Sequence, residues 1–151
     1  MSAIPTDITD CPYYLLTRAS LVMTAHLKQA FAAAGAGRIR PAYVGALMCL
    51  WREDGQKGVE LGRCAGLEPS TMTGLLDRME RDGLVERRPD PGDRRAQRIF
   101  LTAEGRRAEA AVSEIVDRTM EETLRDVPEK ELRKLKTTLR QILTNANKLG
   151  G

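Results

Sequence analysis

Two groups of side chains in this sequence have the types and spacing to do chemistry, and in both the chemistry is recognition of a polyanion, with no bond made or broken. The first is Ser70, Thr71, Thr73, Gly74 and Arg78, which helical spacing places on one broad face with Asp77 and Arg81. Small hydroxyl residues let a helix end approach base edges in the major groove, while its free N–H groups and the arginines hold phosphates. The same pattern also suits the solvated face of an ordinary helix. The second group settles the balance: Arg87, Arg88, Arg94, Arg95 and Arg98 crowd the stretch around PDPGDRRAQR, offset only by Glu86, Asp90 and Asp93. Arginine pairs phosphates with a planar fork and is hydrated weakly enough to enter a narrow minor groove. A charge run on an isolated loop is ordinary surface; this one follows a candidate reading helix. Asp93 reads as a local brace, because a carboxylate facing phosphate would be repelled.

Nothing in the chain is arranged for catalysis. The one histidine, His26, has no metal-ligand or paired-carboxylate pattern around it, and neither a Gly-rich phosphate loop nor HExxH is present. The expectation is a protein that is not an enzyme and needs no cofactor or metal. Cys11, Cys49 and Cys64 are odd in number and show no CxxC spacing, which argues against a zinc knuckle or a disulfide scaffold. They read as reduced thiols, with Cys49 and Cys64 buried and structural. Cys11 sits near a helix start, where thiol pKa falls, and is the candidate for redox sensing.

The elements that must position these groups can be read from periodicity. At 151 residues the chain is one domain in length, its 4% aromatic content favours helix, and a net charge of +3 permits a nucleic-acid partner without proving one. Met1 to Asp10 is expected to be a poorly ordered arm. An amphipathic helix follows from Tyr13 to Ala34, then a short central helix from Pro41 with Val44, Leu47, Met48 and Trp51 on its apolar side. Asp54 to Gly58 reads as a turn. The piece from Val59 to Ala65 and the helix from Pro69 to Asp82, joined at Gly66-Leu67, have the outline of a helix-turn-helix. Leu84 to Arg88 and Arg98 to Leu101 form a β-hairpin whose extended tip bears the arginines. Thr102 caps a helix running towards Pro128, and a last helix from Glu129 to Leu149 carries Leu132, Leu135, Leu139, Ile142, Ala146 and Leu149 as a heptad-like stripe. A single helix-turn-helix has too little surface to select one genomic site, so this stripe is a candidate dimer seam, with packing against the first helix as the alternative and both able to hold at once. No segment resembles a signal peptide or membrane span, so a cytoplasmic protein with no membrane partner is expected.

Leu75-Leu76-Asp77-Arg78-Met79-Glu80, Asp82-Gly83-Leu84-Val85, Asp93-Arg94-Arg95 and Leu101-Thr102-Ala103-Glu104-Gly105 together resemble the MarR/SlyA family of bacterial transcription regulators, most strongly from Val59 to Gly105. The resemblance implies one mainly α domain with a small hairpin wing: a winged helix-turn-helix over 41–105, and a helical dimerisation region over 11–40 and 106–151. It also implies an obligate homodimer on palindromic double-stranded DNA, a repressor in its sign and released by a small anionic or phenolic effector. By position, Ser70, Thr71 and Thr73 would face the major groove, Arg94 or Arg95 the minor groove, and Arg78 and Arg98 phosphates. Arg18, His26, Tyr43 and Trp51 are the polar or aromatic candidates for an effector crevice. Glu68, where the family often has a short capping residue, and Gly74, where a larger polar residue is frequent, depart from the pattern. Thiol-based sensing through Cys11 and a protein-interaction module without DNA binding are the competing readings.

Overall fold

The computed structural model describes residues 7–150; residues 1–6, which belong to the expected N-terminal arm, lie outside the described residues. The rest of that arm is ordered as a single turn over Ile8–Asp10, capped by the Asp7 carboxylate accepting from Thr9 N at 2.9 Å. Helix α1 (Pro12–Ala33) begins with proline at its first turn, where the missing N–H costs nothing. A 3-10 turn, Pro41–Tyr43, leads into α2 (Val44–Arg52). Strand β1 (Gln56–Lys57) and helix α3 (Gly58–Ala65) follow, then α4 (Pro69–Arg81), β2 (Val85–Asp90), β3 (Asp93–Leu101), α5 (Ala103–Thr123) and α6 (Glu129–Leu149). The chain divides into two compact units, one reaching to Thr119 and the other starting at Met120.

In the first unit the core is made where helices and sheet each turn one apolar face inward. Phe31, Tyr43, Leu47, Leu50, Leu61, Leu75, Met79, Val85, Ile99 and Val112 are its fully buried large side chains. Burying each such aliphatic side chain contributes roughly 1.5–3 kcal/mol, which is what fixes the short helices α2 to α4 that could not persist alone. Gly66, at φ +70°, ends α3 in the left-handed conformation, and Leu67 N donates back to Gly62 O at 2.9 Å, so the chain turns sharply into α4.

The sheet has the order β1-β3-β2, all antiparallel. Strand β1 occupies the stretch expected to be only a turn. The reason is local: the buried Gln56 side chain donates from Nε2 to Cys49 O at 2.9 Å and Glu53 O at 2.7 Å, satisfying the end of α2 while its backbone pairs with Ile99. Asp54 adds a second clamp, its carboxylate accepting from Leu101 N at 2.8 Å and from Arg106 Nη2 at 2.9 Å.

The cysteine expectation is corrected here. Cys49 on α2 and Cys64 on α3 are joined in a disulfide, with Cα atoms 6.2 Å apart across a sequence separation of 15. Spacing along the chain could not reveal a pairing made by two helices packing side by side. Nor are both sulfurs buried: Cys49 is 8% exposed, whereas Cys64 lies on the exposed side of α3. Cys11, partly buried at the N-cap of α1, is the free cysteine among the described residues.

Helix α5 starts as its sequence indicates. Thr102 Oγ1 accepts from Gly105 N at 3.1 Å and donates to Gly83 O at 2.6 Å, so one hydroxyl caps the helix and ties it to the start of β2. In the second unit, α6 follows Pro128 over its expected range and none of its residues is buried.

Candidate nucleic-acid interface

Helix α4, the candidate reading helix, is anchored by Met72, Leu75, Leu76 and Met79 on its inner side, which leaves the opposite side outward. Ser70, Thr71, Thr73 and Arg78 are exposed there, with Gly74 half-buried beside them. Glu68 makes no side-chain cap, and Pro69 has no N–H to satisfy. The helix therefore begins with a polar, small-residue end that no carboxylate covers. Thr73 is more constrained than its sequence position suggests: its Oγ1 donates to Pro69 O at 3.1 Å, so the side chain presents a methyl group and an acceptor oxygen to its surroundings. A methyl group built at Gly74 would meet only Arg78 Nη1, at 3.8 Å, so glycine is not required there by packing.

The hairpin sorts its five arginines into two kinds. Arg87 is tied to Asp77 and, at 3.4 Å, to Glu80, both on α4, so it rivets wing to reading helix. Arg88 pairs with Glu86 and lies over the Phe100 ring, 4.5 Å from its centre. Arg98, a phosphate candidate, is tied within the head: Nε donates to Asp90 Oδ2 at 3.2 Å and Nη1 to Gly55 O at 2.9 Å. Arg94 and Arg95 remain exposed near the tip, and as successive residues of β3 they point to opposite faces of the ribbon. Asp93 braces the tip as its type suggested, Oδ1 accepting from Arg95 N at 2.9 Å.

Asp90 is the residue that sequence reasoning passed over. Its buried carboxylate accepts from Gly92 N at 2.8 Å and from Arg98, and forms an ion pair with Lys57 Nζ at 3.6 Å, closing the turn from three directions. The Gly92 amide, helped by the two cations, outweighs burial and holds this carboxyl below the usual aspartate value. The signal available in the sequence was the Asp-Pro-Gly turn, in which the first residue commonly bonds the amide two residues on.

Of the effector candidates, Arg18 and His26 are exposed on α1. Tyr43 is 0% exposed, its ring in the core and its hydroxyl donating to Asp82 Oδ2 at 2.6 Å; burial first, then Asp82, pushes that phenol upward in pKa. Trp51 donates Nε1 to Gly105 O at 2.9 Å. Both aromatic rings are thus hydrogen-bonded inside the first unit, and neither polar tip is free for a ligand. Among the described residues no cluster could hold a metal ion, and no helix is long and apolar enough to cross a membrane.

A helix-turn-helix followed by a charged hairpin that is riveted to its second helix defines the winged-helix class of protein. The family model of the MarR family matches residues 41–96, about a third of the chain. A stretch of 60 residues is 43% identical to the HTH-type transcriptional regulator TtmR of Methylorubrum extorquens (strain PA1), covering 40% of this chain; the match spans about a third, 31%, of that relative's length. The fold is similar to the MarR-family transcriptional regulator from Rhodococcus sp. RHA1, with a TM-score of 0.77 and 27% identity over 91% of this chain and 96% of that one. It is also similar to reduced AbfR, solved bound to DNA, with a TM-score of 0.71 and 25% identity over 88% of this chain and 89% of that one.

Proposed function

We propose that this protein is a sequence-specific double-stranded DNA-binding transcription regulator, acting as a homodimer and as a cytoplasmic repressor released by a small-molecule effector. The observation that carries the DNA reading is the division of the wing arginines. Arg87, Arg88 and Arg98 are spent on carboxylates, a ring and a carbonyl, which builds a stiff hairpin. Arg94 and Arg95 are left at its tip, on the hairpin that Arg87 ties to a helix whose outward residues are Ser70, Thr71, Thr73 and Arg78. Phosphate and groove contacts from the tip would fix register, while the small residues of α4 read base edges. The AbfR structure supports this use of the fold on DNA. Dimerisation is supported by the apolar residues that α1 and α6 expose, and release by an effector by the family pattern, with Arg18 and His26 the residues of the original candidates that have accessible polar groups.

Selection of bound sequences from a random duplex pool, followed by salt-titrated affinity for the winning and a scrambled duplex, tests the proposal. Enrichment of a palindromic motif is expected, with affinity falling steeply as salt rises. An unenriched pool and a flat salt response would refute it.

A further inference from the structure

The disulfide between Cys49 and Cys64 is placed where opening it would matter. Cys49 lies on α2 among the core residues Leu47 and Leu50, while Cys64 lies in the last turn of α3, two residues before Gly66 turns the chain into α4. The bond therefore fastens the base of the helix-turn-helix to the helix behind it. Its two sulfurs are unequal. Cys49 is 8% exposed, Cys64 faces solvent, and Arg52 Nη2 stands 3.6 Å from Cys64 Sγ, where its positive charge would stabilise a thiolate once the bond opened. The rest of the α2–α3 packing does not depend on the bond: Leu47, Leu50 and Leu61 are each fully buried there, and Gly45 lies close against Ala65. Opening the disulfide would loosen this corner without removing its core.

We infer that Cys49–Cys64 is a reversible thiol–disulfide couple, in which Cys64 is the sulfur that exchanges with low-molecular-weight thiols and disulfides and Cys49 is the resolving sulfur, and that closing it stiffens the reading head. In the oxidising direction the Cys64 thiolate attacks one sulfur of a small disulfide, forming a mixed disulfide and releasing one thiol. Cys49, as thiolate, then attacks Cys64 Sγ, forming the protein disulfide and releasing the second thiol. The two protein thiols lose two electrons and two protons, and the small disulfide gains them as two thiols. A small thiol in excess runs the same steps backwards, attacking first at Cys64. The regulatory meaning rests on the DNA-reading proposal above, with the closed form as the tighter binder, because a fixed corner leaves less to order on DNA.

The test uses the full chain, glutathione in both redox forms, and intact-mass analysis. Cys49→Ser treated with oxidised glutathione is expected to accumulate one adduct at Cys64, whereas Cys64→Ser should take up none at Cys49 in the folded state. Amide exchange of residues 61–72 is expected to quicken on reduction of the native chain, while the Leu75–Met79 stretch stays protected. Adducts formed equally on both variants, or exchange unchanged by reduction, would overturn the inference. On a selected duplex the oxidised form should bind at least about fivefold more tightly than the reduced form, the lower end of ordinary coupling. Equal affinity would overturn the link to reading. A chain that binds no duplex in either form would instead defeat the DNA proposal, and the mass and exchange results would still decide the thiol chemistry without it.

Discussion

Charge at the wing does two different jobs, and neighbouring arginines divide them. Arg95 has its guanidinium in solvent at the hairpin tip, so Arg95→Ala should leave thermal stability within about 0.5 kcal/mol, the range of ordinary surface changes. It should weaken DNA binding and lower the slope of log affinity against log salt by about one, since one phosphate contact is lost. Arg98→Ala should act differently, because it removes one of the three partners of Asp90 and a donor to Gly55 O. Melting should fall by an amount corresponding to about 1–3 kcal/mol, with weaker binding as a consequence of a displaced wing. Matched melting curves and salt titrations separate the two, and a full salt slope in Arg95→Ala would remove it from the DNA surface. Asp90 adds a pH dependence. Its folded-state pKa lies below the ordinary value of 3.8, so its contribution is complete above that value and is lost as pH falls through the folded-state pKa. Stability should therefore decline on acidification below roughly pH 4, and Asp90→Asn should flatten that part of the pH–melting curve. An unaltered acid limb in the variant would show that other carboxylates govern it.

At the scale of elements, the strongest constraint is the crossing of β2's start by the first turn of α5. A methyl group at Gly105 would sit 2.2 Å from Leu84 O and 3.1 Å from Leu101 Cδ2, so no side chain fits without moving backbone. Gly105→Ala should cost about 1–3 kcal/mol or more through overpacking, read as a lowered denaturant midpoint at an unchanged slope. Gly74→Ala is the contrasting case, with open space around it and helical backbone. It should stabilise the free protein by about 0.5–1 kcal/mol while altering the preferred DNA sequence, because the added methyl group stands on the reading face. A destabilised Gly74→Ala would mean that the helix needs the glycine for itself. These two glycines also show what the sequence made legible. Periodicity, proline starts and glycine stops located α1 to α6, since each signal acts within one element. The hairpin strands, expected at Leu84 to Arg88 and Arg98 to Leu101, extend through the arginine-rich stretch to Asp90 and from Asp93, because cross-strand pairing continues there without an apolar alternation to mark it. Strand β1 was missed because a two-residue strand has no period, and its cause is a buried glutamine end-capping the preceding helix. The disulfide was missed because it joins two elements, and the bond from Arg98 to Gly55 O was not legible because the two lie 43 residues apart in sequence.

The whole molecule has to account for the apolar surface it exposes. Tyr13, Leu15, Leu21 and Val22 of α1 and Leu135, Ile142, Leu143 and Leu149 of α6 are large apolar side chains in the open, and α6 buries none of its 21 residues. In proteins most of the stability of such an amphipathic helix comes from packing its apolar stripe. In the proposed homodimer a second copy of the chain would supply that packing and, at the same stroke, a second DNA-binding head about one helical turn (~34 Å) from the first. The double variant Leu135→Asp, Ile142→Asp places charges within the stripe and should sediment as a monomer at concentrations where the unmodified chain is a dimer. Its affinity for a palindromic duplex should drop by about 10²–10⁴, the gain that linking two weak sites provides, and its salt slope should roughly halve with the number of phosphates touched. Affinity for a single half-site should be unchanged, which distinguishes loss of the partner from damage to the head. If the double variant still sediments as a dimer and binds the palindrome normally, the stripe on α6 is not the seam that pairs the heads.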